Sequence, residues 1–260
     1  HHGVVVSDKF MKAMENDESW DLIDPNSKDL IKTVKARQLW IKILEARVAT
    51  GEPYIMFGDT VQRGLPKTQK DLGLKVTHSN LCSEITLATN TERTAVCCLS
   101  SVNVEKFDEW KDNELFIDDL MRMLDNVLTH FIDVAPSHMW RAVASAKSER
   151  SIGLGAMGFH TYLQSKSVPI ESDEAMSWNK IVFKHIHTKA LATNYVLGKE
   201  RGEPSDMKGT GKRFAHMIAI APNASSSIIC GGVSPSIEPF RANAFTQKTL
   251  SGSALMKNPN

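Results

Sequence analysis

Residues 114–134, ELFIDDLMRMLDNVLTHFIDV, place Ile117, Leu120, Leu124, Val127 and Phe131 at helical spacing. A run of that period and length is an amphipathic helix, and its apolar stripe has to be buried against another element. A second long helical run extends from about Asp173 to Lys199 and is stopped by Gly202 and Pro204. Around these two lie short apolar runs of strand character: PYIMF (53–57), SIGLGAMG (151–158) and HMIAIA (216–221). Long helices alternating with short apolar strands are the pattern of an α/β fold.

The rest of the chain follows less sharply. DPNSKDLIKTVKARQLWIKILEARVATGEP has helix-opening residues at Asp24 to Ser27, a stripe of Val34, Ile41, Leu44 and Val48, and a stop at Gly51 before Pro53. Residues 58–80 are polar and turn-rich, LCSEITL and TAVCCLSSVNV read as extended segments, and the stretch from Ser234 onward carries no convincing regular element and ends as if cut. A chain of 260 residues, 42% of them hydrophobic, suits one large domain or a piece of one. A net charge of +1 with acids and bases interspersed provides no basic field for a nucleic-acid polymer. No apolar run approaches the roughly 20 residues of a membrane span, and no charged-then-apolar leader opens the chain, so no membrane partner is expected. Four cysteines in this length are too sparse for a disulfide scaffold and point to a reducing cytoplasm.

The chemistry-bearing stretches each admit two readings. In SNLCSEI (79–85), an extended backbone would put Asn80, Cys82 and Glu84 on one face. An amide orients a hydroxyl, a carboxylate takes a proton, and a thiol acts as nucleophile or hydrogen-atom donor. The plain alternative is a structural cysteine on a half-exposed strand whose Asn and Glu face water. In AVCCLSSVN, Cys97 and Cys98 would point to opposite faces of a strand; a disulfide between them would be strained, and the spacing does not suit zinc. Gly153, Gly155 and Gly158 complete a G-x-G-x-x-G, which suggests a nicotinamide-dependent oxidoreductase, but the preceding ASAKSER is no buried strand and tight packing explains the glycines as well. In IAIAPNASSSIICGG, a strand runs into Pro222, Asn223, Ala224, Ser225 and Ser226 at a helix start; it offers either free N–H groups to an anion or an ordinary N-cap. His185 and His187 lie two apart on a helix and so point to different sides.

Taken in order, GEPYIMFGD, SNLCSEI, AVCCLSSVN, RSIGLGAMGF and IAIAPNASSSIICGGVSPSIEP resemble the large, catalytic subunit of class I ribonucleotide reductase, and FRANAFTQKTLSG has a phage-like or bacterial flavour. The resemblance implies an incomplete ten-stranded α/β barrel of two half-barrels with a central finger loop, residues 1–260 forming a single partial catalytic-barrel domain. It implies that Cys82 becomes the thiyl that abstracts the ribose 3′ hydrogen inside a barrel shielded from water. Glu84 would take the 3′-hydroxyl proton, and Asn80 would hydrogen-bond the sugar. Cys97 would be the second member of the redox pair, Cys98 having no assigned role, and Pro222 to Ser226 would hold the substrate diphosphate. No cofactor or metal is then bound by this chain: a metal-containing, radical-generating small subunit supplies the radical. The partners implied are a ribonucleoside diphosphate, the remaining large-subunit segments, and thioredoxin or glutaredoxin as reductant. The first redox cysteine and the allosteric nucleotide sites are expected upstream, and the radical-passing tyrosines and tail cysteines downstream of Asn260. The piece alone is expected to be inactive; a non-catalytic remnant is the remaining alternative.

Overall fold

A computed structural model describes residues 2–249 and 252–258. The chain forms two compact units, His1–Asn90 and Thr91–Asn260. In the first, β1 (Gly3–Val6) leads into α1 (Asp8–Glu15), capped by Ser7, whose hydroxyl accepts the Phe10 N–H at 3.1 Å. An antiparallel hairpin of β2 (Ser19–Ile23) and β3 (Leu30–Lys35) follows, then α2 (Ala36–Thr50) and β4 (Tyr54–Phe57). β4 returns parallel to β1, with Val4 opposite Ile55 and Val6 opposite Phe57. Val6, Phe10, Ala13 and Ala36 form a small core, and the Phe10 ring meets Trp20 edge-on at 5.1 Å. Two short helices, α3 (Gly58–Gly64) and α4 (Lys67–Asp71), occupy the stretch read as turn-rich.

PYIMF is the expected strand, and the Gly51 stop is real, with φ at 80° where glycine pays no steric cost. The helix start at Asp24 is not. The Asp24 carboxylate does accept two backbone N–H groups, from Asn26 and Ser27, each at 2.8 Å, but they close the turn between β2 and β3. A turn of this kind and an N-cap use the same local bonds, so the residues alone do not separate them. The stripe is corrected too: Ile41, Leu44 and Val48 are exposed, while Leu39 and Trp40 face the core.

The second unit continues with β5 (Leu99–Asn103), α5 (Phe107–Trp110), α6 (Phe116–Val134), α7 (Trp140–Glu149), β6 (Gly153–Met157), α8 (Phe159–Ser165) and α9 (Asp173–Arg201). β5 and β6 run parallel, Leu99 opposite Gly153 and Asn103 opposite Met157. On the other side of β6, the Ile152 and Leu154 N–H groups donate to the His216 and Met217 carbonyls at 3.0 and 2.8 Å. Residues 216–221 therefore lie along the sheet, though the only ladder pair there is Leu154 with Ile218, less than the full strand expected. α9 starts at Ser172, whose hydroxyl accepts the Ala175 N–H at 3.1 Å, carries Asp173 and Glu174 in its first turn, and stops at Gly202.

α6 packs on α9, and their apolar faces meet the β5–β6 sheet in the main core. On α6 the buried stripe is Ile117, Met121, Leu124 and Leu128; Val127, expected inside, is exposed. Both stripes fit a period of 3.6, and the position of α9 selects between them. Asp125 is buried beside this stripe and takes hydrogen bonds from Arg150 Nε at 2.8 Å, Arg201 at 2.7 Å and Arg213 at 3.2 Å. A four-residue turn of helix, α10 (Ser226–Ile229), then precedes an antiparallel hairpin of β7 (Ala244–Thr249) and β8 (Gly252–Lys257). The hairpin corrects the reading of the C-terminal stretch as irregular. Its residues alternate weakly, and Phe245 opposite Met256 gains its meaning only from the pairing. Among the described residues no helix is long and apolar enough to cross a membrane.

Candidate active site

In the first unit, SNLCSEI is a closed turn and not the expected strand. Ser83 donates its N–H to the Asn80 carbonyl at 3.1 Å, and Ile85 donates to Asn80 Oδ1 at 3.0 Å. Ser83 sits at φ 66° to make the bend. The alternating-face argument for Asn80, Cys82 and Glu84 therefore fails. Asn80 is half-buried, and its amide oxygen is spent on holding the turn, which leaves the Nδ2 group to bond elsewhere. Cys82 at the apex is exposed, where a sheltered thiol was expected; the turn gives it no neighbouring strand to cover it. Glu84 is half-buried, and its Oε2 is fully buried without a hydrogen-bond partner. A cavity of about 260 Å³ abuts the turn, lined by Asn80, Leu81 and Ser83 together with Tyr54, Met56 and His78.

In the second unit, Cys97 is exposed and Cys98 is buried, as expected for adjacent residues of an extended chain. The Cys98 thiol donates to the Leu124 carbonyl at 3.6 Å, and burial, with the neighbouring Cys97, pushes its pKa up to about 11. Such a thiol stays protonated and inert. The serine-rich stretch forms a turn from Pro222 into α10. Asn223 donates its N–H to the Pro235 carbonyl at 3.1 Å and its Nδ2 to the Ala221 carbonyl at 2.7 Å. Ser227 donates back to the Asn223 carbonyl at 2.9 Å. Among the described residues, the N–H groups of Ala224, Ser225 and Ser226 meet no acceptor, and all three residues are exposed. A cavity of about 400 Å³ opens beside them, lined by Pro222, Ala224, Ser227, Phe240, Arg241 and Phe245.

The glycine motif has a packing role. A Cβ at Gly153 would overlap Leu99 and Ala219, and one at Gly155 would overlap the Ala219 carbonyl oxygen. Both glycines lie inside buried β6, pressed between β5 and residues 216–221, with no room for a pyrophosphate at their side. His185 lies against Phe107 and Trp110 with its pKa lowered by burial, while His187 is exposed, so the pair does point apart. Among the described residues no group of three or more His, Cys, Asp or Glu side chains is placed to hold a metal ion.

A turn bearing a thiol and a carboxylate with one unpaired oxygen lies in the first unit, and a second turn bearing unpaired amides lies in the second. The model of the ribonucleotide reductase barrel domain matches residues 1–210 and 204–260. The chain belongs to that family. The large subunit of ribonucleoside-diphosphate reductase from Invertebrate iridescent virus 3 is 56% identical over 239 residues, covering 92% of this chain and 38% of that protein. Its namesake from Invertebrate iridescent virus 6 is 59% identical over 177 residues, covering 68% of this chain and 18% of that protein. Among solved structures, the Actinobacillus ureae class Id ribonucleotide reductase alpha subunit superposes with a TM-score of 0.84 at 39% identity, over 94% of this chain and 44% of the other. The chain thus spans under half the length of each of these proteins, and it is a segment of the ribonucleotide reductase large-subunit barrel.

The sequence singles out Cys82, Cys97, Cys98 and the serine-rich turn, but not Thr161, Ser234 or Asn103, whose bonds hold that turn. Asn103 Nδ2 donates to the Cys230 carbonyl at 3.2 Å, and Thr161 and Ser234 bond to each other. Small hydroxyl and amide residues in loops carry no periodic signal, so only their partners reveal them.

Proposed function

We propose that this chain is the catalytic-centre segment of a ribonucleoside-diphosphate reductase, reducing the ribose 2′ position by thiyl-radical chemistry. Cys82 is the residue that, once oxidised by a radical from a small subunit, takes the 3′ hydrogen atom of the sugar. Glu84 takes the 3′-hydroxyl proton, and Asn80 donates its free Nδ2 to a sugar hydroxyl. Cys97, with a cysteine from another part of the subunit, supplies the two electrons and two protons that replace the 2′-hydroxyl with hydrogen and release water. The pair is restored by thioredoxin or glutaredoxin. The unpaired N–H groups of Ala224, Ser225 and Ser226 hold the substrate's diphosphate, since several direct N–H bonds bind an anion where a lone dipole would not.

One observation carries this reading: a buried carboxylate oxygen on Glu84 has no donor, two residues from an unpaired thiol. Buried polar groups are nearly always hydrogen-bonded, so an oxygen left without a donor beside the thiol supports a role in meeting an incoming hydroxyl. Cys82 is exposed in this chain, contrary to the sheltered thiol the chemistry requires, so the reading depends on cover supplied from outside the chain, because a thiyl has to be kept from water and oxidants. The remaining large-subunit segments complete the ten-stranded barrel, bring the finger turn under cover and add the allosteric nucleotide sites; both units of this chain then belong to one catalytic domain. A single family model running through both units supports that assignment. The sparse cysteines favour a reducing, cytoplasmic setting.

The test is ribonucleoside diphosphate reduction by the assembled enzyme. This chain alone is expected to yield no deoxynucleotide. In the assembly, Cys82→Ser abolishes turnover, because a serine O–H does not yield its hydrogen atom to the radical. Glu84→Gln lowers kcat by about 10²-fold or more, the usual worth of a general base. Turnover surviving Cys82→Ser refutes the assignment.

A further inference from the structure

The segment that follows the serine-rich turn is fastened to the start of α8 by bonds that the proposed chemistry does not use. Gly158, at φ 77°, donates its N–H to the Ser234 carbonyl at 2.8 Å, and Phe159 donates to the Ser236 carbonyl at 3.3 Å. Thr161 and Ser234 then bond reciprocally: the Ser234 N–H donates to Thr161 Oγ1 at 2.9 Å, and the Thr161 N–H donates to Ser234 Oγ at 3.3 Å. Both residues are buried, at 2% and 0% exposure. Ser236 Oγ adds a bond to the Ala156 carbonyl at 3.4 Å. Pro235, pinned between two anchored serines, offers its carbonyl to the Asn223 N–H at 3.1 Å. Asn223 opens the turn that carries the unpaired amides of Ala224, Ser225 and Ser226. At the far end, Asn103 holds the Cys230 carbonyl at 3.2 Å.

We propose that Thr161 and Ser234 are positioning residues for the diphosphate-holding turn, an inference that rests on the reading of that turn given above. Thr161 lies in the first turn of α8, where backbone N–H groups have no acceptor within the helix. Ser234 supplies one from outside, and Thr161 repays it with a hydroxyl for the Ser234 N–H. Two buried polar groups that satisfy each other make a rigid joint; removing one leaves the other unsatisfied in a place water does not reach. The joint transmits through Pro235 to Asn223, so its loss lets the amides shift away from the geometry that binds phosphate oxygens. Neither side chain touches substrate.

The experiment uses the full-length large subunit containing this segment, assembled with its small subunit. Reduction of CDP gives KM and kcat, while inhibition by inorganic pyrophosphate and by cytidine reads the phosphate and nucleoside portions separately. Thr161→Val and Ser234→Ala are expected to raise the KM for CDP and the Ki for pyrophosphate together by about fivefold, the worth of roughly one buried hydrogen bond. The cytidine Ki and kcat stay unchanged, and Thr161→Ser, which keeps the hydroxyl, behaves as wild type. An unchanged pyrophosphate Ki, or one that moves in step with the cytidine Ki, overturns the positioning role. A wild-type assembly that reduces CDP but is not inhibited by pyrophosphate overturns the reading of the turn instead. Should Thr161→Val fail to fold, Ser234→Ala decides, since it keeps the bond from the Ser234 N–H to Thr161.

Discussion

Replacing Asp125 by asparagine removes the buried anion that three arginines share. The Asp125 side chain is 1% exposed, and those of Arg150 and Arg213 are 8% and 13% exposed, so neither cation regains water without local unfolding. Arg201, at 29%, has partial access to solvent. Removing one partner of a buried ion pair costs about 3–5 kcal/mol, because the remaining charge is stranded. Asparagine keeps one acceptor oxygen, which favours the lower end, about 3 kcal/mol. For a domain of this size that cost lowers the melting midpoint by about 6–12 °C. Trp110 and Trp178 belong to the core of this unit, and replacing Trp20 and Trp40 of the first unit by Phe in both proteins lets intrinsic fluorescence on heating report the second unit. The exposed pair of Lys106 and Glu109 is the control, and Lys106→Ala should leave the midpoint in place. The pH dependence has a definite sign. Burial alone would raise the Asp125 pKa, but the Arg201 hydrogen bond and the Arg150 and Arg213 charges outweigh it and hold the carboxyl below its ordinary 3.8. A depressed folded pKa contributes stability that is fully present above the ordinary value and is lost as pH falls through the folded one. The gap between wild type and Asp125→Asn should thus be widest near neutrality and close in acid. A neutral-pH midpoint within about 2 °C of wild type would refute the argument.

Gly155→Ala should destabilise the second unit by about 1–3 kcal/mol through overpacking against the Ala219 carbonyl, read by urea unfolding, while wild type shows no saturable response to NADH. Saturable NADH binding lost in the alanine variant would restore the dinucleotide reading. Iodoacetamide at pH 8 should label the exposed Cys82, Cys97 and Cys230 of the native chain and reach Cys98 only after denaturation, as mass spectrometry of peptides would read. Fast native labelling of Cys98 contradicts its burial.

What the residues announce locally, they announce well. Ser172, Asp173 and Glu174 start α9 and Gly202 stops it, because capping bonds and the helix dipole are settled within one turn of chain. Asp24 shows the limit of that logic: its bonds to Asn26 and Ser27 are the ones a helix cap would make, and β3 pairing with β2 turns them into a hairpin. SNLCSEI misleads in the same way. Its alternation of polar and apolar residues suggests a strand, yet a strand needs a neighbour, and the bond from Ile85 to Asn80 Oδ1 closes it on itself.

By itself the sequence determined where the two long helices α6 and α9 lie, that Gly153 and Gly155 permit close packing, and which thiols, acid and amide the chain carries. Tertiary structure alone decided which of these are accessible. Cys97 and Cys98 are neighbours in sequence, and only the packing of α6 against β5 seals one beneath the Leu124 carbonyl and leaves the other outside. The same holds for Thr161 and Ser234, far apart along the chain, which find each other because α8 opens against the segment after the serine-rich turn. Helix caps and turns are short-range bonds and can be read from neighbouring residues; burial and cross-chain hydrogen bonds depend on which distant surface arrives, and that is settled only when the whole core closes.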